Sequence, residues 1–180
     1  MIDPVLLWIT ALAAALVFAS SALMKFRNLE TFEGAVVNYR MLPKFFARPF
    51  AYAVPIAELS GAIAIVMPVT RVMGSIVLLC LTFAFTAAIV INLMRGRYDV
   101  DCGCFGPALR QTLSWWLVIR NVMLMGMVAI ASCRADDRAL SLFDWFTVTA
   151  GVVTLLVLYA GANYAFANLS KLRELGTRYA

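Results

Sequence analysis

The stretch VMGSIVLLCLTFAFTAAIVINL, from Val72 to Leu93, runs 22 residues without one charged side chain. As a helix it would be roughly 33 Å long, enough to cross a hydrocarbon layer of about 30 Å. Working outward, four more apolar segments share its character: Val5–Leu23, Phe50–Met67, Leu113–Ala131 and Phe146–Ala167. The composition agrees. Of 180 residues, 63% are hydrophobic and 14% charged, with a mean hydropathy of +0.88. A soluble domain of this length could not hide that much apolar surface in one core, and soluble buried helices would carry polar stripes. The expectation is an all-α membrane protein forming a single domain over residues 1–180, with five transmembrane helices in the lipid bilayer. The first segment lacks the basic flank of a secretory signal and is read as a retained span. Small residues four apart, Ala57/Gly61 and Gly161/Ala165, suit close helix packing.

The connections differ. Residues 26–46 place Phe26, Leu29, Phe32, Val36, Tyr39 and Leu42 three or four apart, which predicts an amphipathic interfacial helix broken at Pro43. Pro68–Arg71 is a tight turn, and Arg134–Trp145 carries Asp136, Asp137 and Asp144. The loop over 95–112 contains Asp101-Cys102-Gly103-Cys104-Phe105-Gly106-Pro107.

That loop holds two of the four cysteines, in a chain with no histidine. The missing imidazole removes Cys–His and Ser–His–Asp nucleophiles, histidine-liganded zinc and histidine proton relays. Two thiols one residue apart close only a small, constrained disulfide ring, and Gly103 tolerates the backbone angles it needs. Strained, accessible disulfides exchange readily with an incoming thiolate. Asp101 disfavours a thiolate, whereas Arg95, Arg97 and Arg110 favour it. Phe105-Gly106-Pro107 then turns the chain toward the fourth helix. A static loop clamp and half of a metal site are the competing readings, the second weakened because no histidine or nearby cysteine completes a tetrahedral set. Cys133 lies a whole helix away from the motif, roughly 30 Å, and Cys80 sits about 12 Å from the far end of the third helix. Both are expected to be buried structural filler.

Ionisable side chains within spans generally pair or serve function. Counting rises from the expected helix starts puts Glu58 about 12 Å and Arg120 about 10 Å deep beneath the cysteine loop. They are expected to pair, either as a structural lock or as the polar floor of a redox pocket in which Arg120 stabilises an anion. Lys25, Asn92, Ser114, Trp115, Trp116 and Asn121 are further candidates for that pocket.

Three stretches together resemble the methylamine utilisation protein MauE family, within the wider MauE/DoxX membrane proteins. They are Lys25-Phe26 through Tyr39-Arg40-Met41-Leu42-Pro43, then Pro55-Ile56-Ala57-Glu58-Leu59-Ser60-Gly61, and Asp101 to Gly106 followed by Ser114-Trp115 and Arg120-Asn121. The resemblance covers roughly residues 5–131. It implies an accessory role in maturing the disulfide-rich, periplasmic small subunit of methylamine dehydrogenase, with the thioredoxin-like protein MauD as partner. The architecture is also similar to vitamin K epoxide reductase and DsbB-type bundles, which implies a four-helix redox-type bundle plus one extra C-terminal helix, and a quinone (ubiquinone or menaquinone) beside the cysteines. The sequence departs from those bundles in having Cys-x-Cys in place of Cys-x-x-Cys, a fifth helix and no cysteine in its first loop. A separate protein would therefore deliver electrons.

The net charge of +5 bears on orientation, not on nucleic acid. Eleven Lys and Arg outside the spans fall on the motif's side against Arg71, Arg134 and Arg138 on the other. The positive-inside tendency places Cys102 and Cys104 in the cytoplasm, whereas the family role requires the periplasmic side of a bacterial inner membrane; the periplasmic placement is the one expected. The function expected is thiol–disulfide exchange with the partner and electron transfer to quinone. The alternative is a non-catalytic docking platform with the cysteine pair as a clamp. A solute conduit is disfavoured because the spans carry too few polar residues.

Overall fold

The computed structural model describes residues 2–98, 100, 112–136 and 138–178, the last ten of these as backbone only. Six helices follow in order: α1 (Pro4–Arg27), α2 (Leu29–Asn38), α3 (Lys44–Val66), α4 (Arg71–Met94), α5 (Trp115–Ala131) and α6 (Leu142–Arg178). The described residues contain no strand beyond an isolated bridge between Ile2 and Ala135. Four helices, α1, α3, α4 and the Leu142–Asn168 part of α6, are long and apolar enough to cross a membrane. The fifth expected span is the apolar α5, which has only 17 residues.

Helix α1 is the centre of the bundle. Asp3 caps it by accepting from the Val5 amide at 2.8 Å, and Pro4 occupies the first turn, where its missing N–H is not needed. Its small residues Ala11, Ala14 and Ala15, with Phe18, pack into one core with Ala62 and Ile65 of α3, Leu78 of α4 and Val128 and Ala131 of α5. Short side chains here let helices approach closely, the main source of helix association in lipid. Gly74 shows the same at α3/α4, where an added Cβ would stand 2.6 Å from the Ile65 nitrogen.

The segment expected as one interfacial helix over 26–46 is organised differently. Helix α1 continues to Arg27, α2 is a separate ten-residue helix, and α3 begins at Lys44, before the expected start at Phe50. The reason is burial: Ala47, Ala51 and Val54 of α3 form an apolar cluster with Phe32 and Val36 of α2. This extends the helix N-terminal of the apolar run and ties α2 to the bundle. Pro49 and Pro55 lie inside α3, as prolines do in helices whose neighbours brace the freed backbone.

The antiparallel packing of α1 on α3 sets two ends. The turn at 67–70 and the α5–α6 connection share one end. The other has α2, the start of α3, the end of α4 and the start of α5.

Candidate functional site

The polar groups of the bundle gather toward the second end. The segment bearing the cysteines leaves from α4 and returns into α5, and both anchors are fixed. Asn92, fully buried, donates to the Ala88 carbonyl at 2.9 Å and accepts from the Arg97 guanidinium at 3.2 Å. Beyond it, the Leu113 amide donates to the Val100 carbonyl at 3.0 Å. Val100 and Leu113 are buried in one cluster with Tyr39, Ile89, Leu93 and Leu117. The motif itself, Asp101, Cys102, Gly103, Cys104, Phe105, Gly106 and Pro107, lies outside the described residues.

On the bundle side of these anchors, Lys25 of α1 and Glu58 of α3 form a buried ion pair. Ser21, one turn before Lys25, accepts from the ammonium at 3.0 Å and donates to the Glu58 carboxylate at 3.4 Å. The Lys25 Nζ also lies 5.3 Å from the Phe32 ring centre and 5.1 Å from that of Phe85. Two aromatic faces and a carboxylate thus replace the water lost by the cation.

Arg120 of α5 is 5% exposed. Its guanidinium donates to the Asn163 side-chain oxygen of α6 at 3.2 Å and to that of Asn121 at 3.3 Å. Asn121 in turn donates to the Thr86 hydroxyl at 3.1 Å, so α4, α5 and α6 are joined through one cation. A cavity of about 40 Å³ separates this network from the first, lined by Ser21, Lys25, Glu58, Thr82, Arg120 and Asn121 among others. That is room for water among polar partners.

The structure brings Glu58 and Arg120, expected to pair, to the walls of one cavity. Glu58 also forms an ion pair with Lys25. Lys25, another residue expected near the pocket, lines the same cavity. Trp116 is partly buried and stacks on Phe166 with ring centres 3.7 Å apart, whereas Trp115 is 56% exposed. Ser114 is partly buried at the start of α5, and its carbonyl accepts from the Leu117 amide at 3.0 Å. Sequence reasoning missed Ser21, Thr86 and Asn163, polar residues within largely apolar runs. Cys80 and Cys133, expected as buried filler, are both exposed on the protein surface, because α4 turns Cys80 away from its partners and Cys133 follows the end of α5.

The profile of the methylamine utilisation protein MauE family matches residues 3–134. The chain belongs to the MauE family. Among relatives, the methylamine utilization protein MauE of Paracoccus denitrificans is 35% identical over 164 residues, covering 91% of this chain and 88% of the relative. That of Methylorubrum extorquens is 41% identical over 162 residues, covering 89% and 87%. That of Methylophilus methylotrophus is 35% identical over 163 residues, covering 89% and 86%. No solved structure matches. The MauE profile takes in Lys25, Glu58, the cysteine segment and Arg120, and ends before α6 with its Asn163. With its long apolar helices, this MauE-family chain is a multi-pass membrane protein.

Proposed function

We propose that this MauE-family chain is a membrane thiol–disulfide oxidoreductase serving methylamine utilisation. The observation that carries the reading is the buried Arg120 guanidinium, beside the neutral Lys25–Glu58 pair, in the half of the bundle where α4 ends and α5 begins. A buried positive charge near the cysteines would favour the thiolate that disulfide exchange requires.

A thiolate of a thioredoxin-like, MauD-type partner attacks one sulfur of the Cys102–Cys104 disulfide and forms a mixed disulfide. The partner's second thiol resolves it, so the partner leaves oxidised and Cys102 and Cys104 become a dithiol. Reclosing the ring releases two electrons and two protons, for which a membrane quinone is the acceptor. The oxidised partner then introduces disulfides into the methylamine dehydrogenase small subunit. In this reading α5 makes a fifth crossing and the cysteines face the periplasm of a bacterial inner membrane. Burial of Lys25 in its ion pair removes one charge from the count that opposes this orientation.

The test replaces both Cys102 and Cys104 by serine in cells that depend on the chain. The small subunit is expected to accumulate with free thiols while the membrane protein persists at normal level. Normal client disulfides in that variant would favour the docking platform instead.

A further inference from the structure

The large crevice on the α6 side of Arg120 is the strongest unassigned feature. Helix α6 leans on α1 and leaves a gap against α5, with a volume of about 470 Å³. That is within the range of roughly 300–1,000 Å³ typical of small-molecule sites. Its lip includes Met123 and Leu158, each 63% exposed on the face that meets lipid. Its walls are mainly apolar, yet Arg120 and Asn163, each 5% exposed, stand at one end. Trp116 adds an indole N–H that is buried with no hydrogen-bond partner among the described residues. In a hydrocarbon layer an unmatched buried donor is costly, a cost that a ligand acceptor reaching Trp116 from the crevice would relieve. The near-parallel Trp116–Phe166 pair, 14° between planes, supplies a flat aromatic wall beside it.

We infer that the α1/α5/α6 crevice binds the head of a lipid-soluble quinone, with a ring carbonyl toward Arg120 and Trp116 and the tail leaving past Met123 and Leu158. The inference rests on the redox reading above for its choice of ligand and adds the site. A fatty-acid carboxylate shares the acceptor chemistry. The flat aromatic wall favours a planar ring over it.

The test is photolabelling of the full-length chain in nanodiscs with a short-tailed azido-ubiquinone, mapped by peptide mass spectrometry. It uses the Cys102→Ser/Cys104→Ser protein, so that binding is read apart from thiol chemistry. Label is expected within α5 or α6 and displaced by decylubiquinone. It should fall at least tenfold in Ala162→Trp or Met123→Trp, which fill the crevice, and persist in Ile63→Trp, which fills a separate apolar cavity between α1, α3 and α6. Thermal unfolding of each variant identifies any that fails to fold. Label elsewhere, undiminished label in the folded filling variants, or equally effective displacement by dodecanoate would overturn the inference. The two readings separate cleanly. If decylubiquinone oxidises the native cysteines at full rate in Ala162→Trp, the site falls and the redox reading stands. If the crevice is labelled but the native dithiol never oxidises, the redox reading falls and the site stands.

Discussion

Lys25 and Glu58 form an ion pair with side chains only 2% and 4% exposed, joining α1 to α3. Removing one member strips a buried charge of its ion-pair partner, and breaking such a pair typically costs about 3–5 kcal/mol. Lys25→Met and Glu58→Leu singly are each expected to lower thermal stability in nanodiscs by an amount of that order. The double variant, with no orphaned charge, is expected to lose less than either single one. A double-mutant cycle on the unfolding temperatures checks this.

Close approach of α3 and α4 depends on Gly74. A Cβ there meets the Ile65 nitrogen at 2.6 Å and the Ala64 carbonyl carbon at 2.8 Å, both backbone atoms that cannot step aside. Gly74→Ala is expected to destabilise by about 1–3 kcal/mol. Gly126→Ala, where nothing lies within 4 Å, is expected to leave stability unchanged or slightly raised. Thermal unfolding of the two variants side by side gives the comparison.

Orientation has an internal control in Cys133, which is exposed at the end of the bundle opposite the cysteine segment. With Cys80 replaced by serine, an impermeant maleimide added to reduced intact cells is expected to label Cys102 and Cys104 and spare Cys133. Inverted membrane vesicles should show the reverse. Label on Cys133 in intact cells would place the motif in the cytoplasm.

Asn163 ties Arg120 to α6 at 3.2 Å. Asn163→Leu keeps the volume and removes the acceptor, so a buried cation loses one of its partners; hydrogen bonds to charged groups are worth roughly 1.5–3 kcal/mol. The variant is expected to unfold at lower temperature and to loosen α6, read as faster hydrogen exchange in α6 than in α4.

Much of the helical layout was legible because apolar runs in Val72–Leu93 and its neighbours have few other stable solutions in lipid. Depth counting brought Glu58 and Arg120 to one cavity, because helix rise is uniform. It did not show Lys25 as an ion-pair partner of Glu58, because α1 runs on past its apolar run to Arg27. Lys25 therefore stays helical and buried, where sequence hydropathy had ended the span at Leu23. The early start of α3 escaped for a related reason: Ala47 and Ala51 are buried against Phe32 and Val36, a tertiary contact with no local signature. Asn163 and Ser21 were invisible for want of periodicity. Exposure of Cys80 depends on which face of α4 meets neighbours, and the few polar residues of that helix mark the face only weakly.

The central claim is that Cys102 and Cys104 form a redox couple that delivers electrons to a quinone. The direct measurement is anaerobic: the reduced Cys80→Ser/Cys133→Ser protein in nanodiscs is mixed with decylubiquinone, and free thiols and quinol are counted together. The account predicts loss of both remaining thiols, with one quinol formed for each disulfide closed. An unchanged thiol count with no quinol formed would contradict it.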